Sequence, residues 1–176
     1  GVYVYEGDLT VTSGTFRQNE SRAEDGGGIY ASTGSTLTLS HSNFYANTAK
    51  EGGGIYNRGN FTLTHSLLSG NTATSGGGGI YNRLSNAVLT AVTFDGNTAS
   101  NGAGMYNFGA FGTSNPILTD VVFNANQASF RAGGLYNYGN NGTSSPTLID
   151  VTFTNNTAGA DGGAIYNDGS YGRSEE

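Results

Sequence analysis

A chain of 176 residues with 30 glycines, two prolines and 11% charged residues would read as disordered low-complexity sequence if it carried no period. Seven Lys plus Arg against 13 Asp plus Glu, a net charge of −6, provide no basic face for nucleic acid or an anionic membrane surface. With no cysteine, a disulfide frame and a thiolate metal site are both excluded, and no apolar run is long enough to insert directly into a membrane.

The period decides the fold class. Aliphatic-Tyr pairs recur as Ile29-Tyr30, Ile55-Tyr56, Ile80-Tyr81, Met105-Tyr106, Leu135-Tyr136 and Ile165-Tyr166, spaced by 25 or 26 residues and then by 30. Repetition at that interval marks a solenoid. Each repeat opens on an alternating segment, beginning with Leu9/Val11 and Leu37/Leu39 and continuing as Phe61/Leu63, Ala87/Leu89, Pro116/Leu118 and Pro146/Leu148. Alternation predicts a short strand with these residues inward. A second strand follows at Gly14/Phe16, Ser42/Phe44, Ser66/Leu68, Val92/Phe94, Val121/Phe123 and Val151/Phe153. Three residues beyond each large residue stands an asparagine: Asn19, Asn47, Asn71, Asn97, Asn126 and Asn156. Asparagine tolerates a left-handed turn, and its amide can bond to its counterparts above and below, so this column predicts a structural ladder. The glycine-rich run into the aliphatic-Tyr pair makes the third strand. After it come Asn57, Asn82, Asn107, Asn137 and Asn167, a second ladder broken by Ala31.

Three strands per turn and no helix-period segment predict an all-β, right-handed, three-sheet parallel β-helix of about six coils. The coils run roughly 1–25, 26–51, 52–76, 77–101, 102–131 and 132–161, with a partial coil at 162–176. At about 4.8 Å per coil the stack spans roughly 29 Å. Residues 1–176 form one segment with both ends inside a repeat, so further coils are expected outside it, or its ends stack on other molecules.

These motifs carry a resemblance. The GGAIYN of Gly162 to Asn167, the earlier GGGIY and GGGGIYN, and the FxxN element resemble the right-handed parallel β-helix repeats of bacterial surface proteins. They are similar to the GGA[ILV] and FxxN repeats of chlamydial polymorphic outer-membrane proteins, and more so to repeats of large secreted proteins of the CSLREA-domain and choice-of-anchor type. The resemblance implies an exported protein, secreted or on the cell surface, with adhesin passengers among its relatives. It brings no catalytic residue.

Chemistry is therefore sought where outward columns break the pattern. Three residues before each large residue the column reads Ser13, His41, His65, Ala91, Asp120, Asp150. Asp120 and Asp150 on adjacent coils are the candidates if the chain is a carbohydrate-active enzyme, a polysaccharide lyase or glycoside hydrolase, because paired carboxylates can act as acid and base. No catalytic residue is otherwise assigned. Asp25 and Glu51 are the candidate metal pair, suited to Ca2+, although the calcium-binding nonapeptide pattern is absent. No cofactor is expected.

With the aliphatic residue inward, Tyr56, Tyr81, Tyr106 and Tyr136 form an outward aromatic column; the reverse facing is the alternative. Arg58 and Arg83 stack beside it and can receive a sugar acid. The lengthened loops place Phe108, Phe111, Tyr138 and Tyr171 among Gly, Ser and Asn, a composition suited to sugar or protein contacts. The outward Thr of the first strands, interrupted by Val88, Ile117 and Ile149, allow a third reading as an ice-binding face or a covered contact surface. The expectation is a non-enzymatic extracellular or cell-surface rod, a structural or adhesive stalk able to extend into a fibre, whose partners are neighbouring protein subunits or cell-surface glycan.

Overall fold

A computed structural model describes residues 1–22 and 25–169. Every strand pairing in it is parallel, each strand lying on its counterpart one coil away, so a repeat in sequence becomes a column in space. The first sheet has seven strands, Val2–Val4, Ile29–Ala31, Ile55–Asn57, Ile80–Arg83, Met105–Phe108, Leu135–Tyr138 and Ile165–Asp168. Its register matches Ile29, Ile55, Ile80, Met105, Leu135 and Ile165 without slippage. Three sheets of parallel strands stack as a solenoid of about six coils, as the periodicity predicts.

The distribution of strands among sheets differs from that expected. The two segments assigned to separate strands belong to one ten-stranded sheet, and in Asn60–Ser69 and Val88–Asp95 they run as a single strand. The bend between them falls on the residue three before the large apolar one, where Ser13, His41, His65, Ala91, Asp120 and Asp150 all take positive φ, between 48° and 59°. The third sheet is instead made by Thr48–Glu51, Thr72–Gly76, Thr98–Asn101, Gln127–Arg131 and Thr157–Ala158, the short Thr-Ala segments after each ladder asparagine. Their large side chains are few, so they carry little apolar alternation to betray a strand.

The ladder asparagines also sit differently from expectation. The left-handed residue of that turn is the one before, namely Gln18, Ala46, Gly70, Gly96, Ala125 and Asn155. The asparagine itself turns inward and is fully buried in the middle coils. Glycine is needed further on: Gly77 takes a φ of 66°, and a Cβ there would collide with the carbonyl of Ile80. At Gly79 a Cβ would stand 2.5 Å from the Gly104 oxygen and 2.8 Å from the Phe94 ring, so the backbones of successive coils close over the phenylalanine column.

That column is the centre of the core. Phe44, Phe94 and Phe123 are wholly buried beside Leu37, Leu39, Leu63, Leu89 and Leu118, and Ile29, Ile55, Ile80, Met105 and Leu135 close the other side. The rings stack coil on coil, Phe16 to Phe44 at 4.6 Å, Phe94 to Phe123 at 4.6 Å and Phe123 to Phe153 at 4.9 Å between centroids. Each buried side chain contributes about 1.5–3 kcal/mol, and each ring pair about 0.5–1.5 kcal/mol more. The asparagines satisfy one corner. Asn47 Nδ2 donates to Asn71 Oδ1 at 2.9 Å and to the Phe16 carbonyl at 2.9 Å, while its Oδ1 accepts from the Asn19 backbone N at 3.0 Å and Nδ2 at 2.9 Å. The same four-bond pattern repeats through Asn71, Asn97 and Asn126.

Candidate functional site

Alternation places the aliphatic member of each pair inside and its tyrosine on the outer face of the first sheet. The tyrosines stack along the axis, at 5.0 Å from Tyr30 to Tyr56, 5.2 Å from Tyr56 to Tyr81 and 4.8 Å from Tyr81 to Tyr106. Tyr106 meets Tyr136 edge to face at 4.6 Å. The column faces outward without being open: Tyr56, Tyr81 and Tyr136 are 3–5% exposed. Ring faces that a sugar would need are occupied by neighbouring rings.

Charged side chains cover what the rings leave. Arg83 lies beside Tyr56, and its Cζ is 4.9 Å above the Phe108 ring. Arg131 lies 4.6 Å over Phe130 and 4.9 Å over Tyr166, with its Nε 3.5 Å from Asp161. Tyr136 Oη donates to Asp168 Oδ2 at 3.1 Å. Burial, opposed by the charge of Arg83 and helped by those of Asp25 and Glu51, pushes the Tyr56 phenol up to about 12. Burial also drives Tyr81, Tyr106 and Tyr136 upward. Glu51 is raised by burial and then by the charge of Asp25, which places that acidic pair side by side at the edge of the column. Arg83 and Lys50 oppose the shift and Ser75 hydrogen-bonds the carboxyl, so the pair is already partly compensated by protein cations. Among the described residues no group of three or more His, Cys, Asp or Glu converges on a point.

Asp120 and Asp150 occupy adjacent left-handed corners of the largest sheet, both exposed. Asp, Asn and His are the non-glycine residues that best accept this backbone, so the corner itself accounts for much of the column's composition. The outward threonines keep their register, Thr10, Thr38 and Thr62 continuing into Val88 and Ile117, where the exposed surface turns apolar.

The lengthened loops stack on each other rather than hanging free. Thr113 bridges to Thr143, Asn115 N bonds to Asn86 Oδ1 at 2.8 Å, and Ser145 N bonds to Asn115 Oδ1 at 2.8 Å. Buried Ser85 and Ser114 serve the second asparagine ladder, Asn57 Nδ2 reaching Ser85 Oγ at 3.0 Å and Asn82 Nδ2 reaching Ser114 Oγ at 3.1 Å. Sequence reasoning missed this set, although SNA at 85–87, SNP at 114–116 and SSP at 144–146 repeat in step with the coils. Phe111 projects from the first loop at 80% exposure, and Tyr138 stays half-buried, tilted against Phe108 at 5.4 Å. Tyr171 lies outside the described residues.

Where the short-loop coils meet the long-loop coils, a concavity of about 320 Å³ is lined by Ser35, Arg58, Asn60, Leu84 and Asn86. Arg58 Nε is buried and has no hydrogen-bond partner among the described residues, as is also true of Arg83 Nε and Arg131 Nε. The long loop closes on the rim: a Cβ on Gly112 would stand 2.7 Å from the Leu84 side chain. The two arginines of the predicted pair thus differ in surroundings, Arg83 lying over Phe108 and Arg58 lining the concavity.

The family model described as right handed beta helix region matches residues 1–173. No curated protein matches the chain, and no solved structure does.

Proposed function

The chain belongs to the right-handed β-helix family, and on that premise we propose that it is a rigid, non-enzymatic segment of an extracellular or cell-surface protein that holds a carboxylated glycan at the Arg58 notch. The observation carrying this reading is the placement of Arg58: of the three arginines whose buried Nε has no hydrogen-bond partner among the described residues, Arg58, Arg83 and Arg131, it is the one that lines this polar concavity, while the other two lie over aromatic rings. A guanidinium presents a planar fork of donors that fits a carboxylate, and the bond is charge-assisted. Phe111, next to Gly112 on the loop that closes on Leu84, offers an exposed ring of the kind on which the apolar face of a sugar packs. The ladders and stacked rings serve the other half of the role, holding the notch on a stiff support.

The family contains both enzymes and non-enzymes. The reading adopted favours binding, since Asp120 and Asp150 sit on an exposed corner whose backbone already selects for aspartate. A glycan array probed with the 176-residue chain tests it. Carboxylated glycans should be retained over their neutral counterparts, with about tenfold or greater loss in Arg58→Gln, in line with removal of a charge-assisted pair. Equal retention of neutral and carboxylated glycans, or full binding by Arg58→Gln, would sink the proposal. Polysaccharide cleavage that disappears in Asp120→Asn would replace it with the enzymatic reading.

A further inference from the structure

We propose that His41 and His65 form a two-imidazole site for a divalent first-row transition-metal ion, with Cu2+ bound most tightly. It needs neither Arg58 nor Phe111, and it lies on the bend of the largest sheet.

The two rings are exposed, parallel within 5°, and 5.0 Å apart between centroids. Their backbones are nearly identical, with φ of 49° and 48°. Both sides of the corner are pinned by strand register, Ser40 on Thr64 before it and Asn43 on Leu67 after it. His41 N also donates to the Thr64 carbonyl at 3.0 Å. The scaffold therefore holds the two imidazoles one coil apart on the same side of a fixed corner.

Parallel rings at this spacing put equivalent nitrogens about as far apart as the centroids. A metal bound at roughly 2.0–2.1 Å from each nitrogen in neighbouring coordination positions brings the two nitrogens to about 3 Å, with both in-plane lone pairs converging on it. In the stacked arrangement those lone pairs run side by side, so the two exposed rings rotate about χ1 and χ2 to converge, a side-chain adjustment that leaves the backbone corner in place. Imidazole nitrogen suits Cu, Ni and Zn, and the order of intrinsic affinities puts Cu2+ first; Ca2+ and Mg2+ prefer oxygen. A net charge of −6 raises the local concentration of any cation. No third His, Cys, Asp or Glu converges there among the described residues, so water completes the coordination and the ion exchanges readily.

Titration of the 176-residue chain with Cu2+, followed by calorimetry and electron paramagnetic resonance, tests the site. The expected result is one equivalent bound with two equatorial nitrogens. His41→Asn and His65→Asn should each weaken it by about tenfold or more, because a chelate loses its second arm and the gain from effective concentration. Asparagine is chosen because it accepts the left-handed backbone. Ala91 occupies the next corner, at a φ of 54° and opposite His65, so Ala91→His added to His41→Asn should rebuild an imidazole pair with His65 and recover the lost binding. Wild-type affinity in either asparagine variant, a spectrum with fewer than two nitrogens, or no recovery in the His41→Asn, Ala91→His double variant would overturn the proposal.

Discussion

Asn71 illustrates how much one side chain carries in this architecture. Its Oδ1 accepts from the backbone N and the Nδ2 of Asn47, and its Nδ2 donates to Asn97 Oδ1 and the Phe44 carbonyl, all at 2.9–3.0 Å in a buried environment. Truncation breaks all four bonds and strips the Asn47 backbone N of its acceptor, while Asn97 Oδ1 keeps the Asn71 backbone N and Asn47 Nδ2 keeps the Phe16 carbonyl; a buried orphan costs about 1–3 kcal/mol and each further lost bond about 0.5–1.5 kcal/mol. Relaxation and water entry recover part, so Asn71→Ala is expected to destabilise the chain by about 3 kcal/mol or more, read from the urea midpoint. Asn71→Asp keeps the acceptor, loses the donor and buries a charge, and should be no better tolerated. A corner residue obeys the opposite rule. Asp120 is exposed with a φ of 54°, so Asp120→Gly should cost little, while Asp120→Val forces a β-branched side chain into a left-handed backbone at about 1–3 kcal/mol. Equal midpoints for Val and Gly at this position would mean that the corner does not select its residue.

At the level of the element, the coil is built from columns, and a column tolerates what its neighbours already contain. Leu68 stands in line with Phe44 and Phe94 and pairs with both in register. Phe94→Leu should therefore lose roughly the stacking energy with Phe123, about 1 kcal/mol, together with a small packing change. Phe94→Ala opens a cavity against the backbone of Gly79 and should cost about 3–5 kcal/mol. Thermal unfolding of the pair distinguishes a column that selects for shape from one that selects only for apolar character. The same logic explains what could be read in advance. Alternation at Leu37/Leu39 and the Phe-x-x-Asn spacing are apolar or chemically distinctive signals, and they located the strands, the core and the ladder. The Thr-Ala strands were illegible because a buried Ala73 or Ala99 among polar neighbours leaves a weak period. The corner was misplaced by one residue because the left-handed position holds Gln18, Ala46 or Gly70, which share no chemistry, while the conspicuous asparagine beside it points inward. Of the candidate site, outward facing of the tyrosines followed from the period, but their burial depends on the Arg83 and Arg131 side chains folding over them, which no local pattern encodes.

Across the whole molecule the tyrosine column acts as an outer seam, binding one coil to the next on the side opposite the phenylalanines. Its hydroxyls are partly buried beside Glu51 and Asp168, so the phenolate is disfavoured in the fold, with Tyr56 at about 12 and Tyr81, Tyr106 and Tyr136 also pushed upward by burial first. The unfolded chain releases these protons near 10. A folded-state value raised above the unfolded one gives stability that is complete below about pH 10 and is lost as pH rises toward the folded value, because only the unfolded state gains by ionising. Four tyrosines on successive coils titrate in that window, so their losses accumulate along the rod and alkaline unfolding should begin just above pH 10. Phenolate absorbance should then appear together with loss of the β-sheet circular dichroism. Tyr81→Phe keeps the stacked ring and removes one buried ionisation, and it should move the transition to higher pH while leaving stability at neutral pH nearly unchanged. Glu51 behaves in the same sense at the acidic end: its raised carboxyl makes the ionised form a burden, so Glu51→Gln should gain stability above about pH 4.5 and show no gain below it. If phenolate forms ahead of unfolding, the rings are reached by solvent while the coils stay stacked, and the tyrosines would be a wet surface available to ligands instead of a seam.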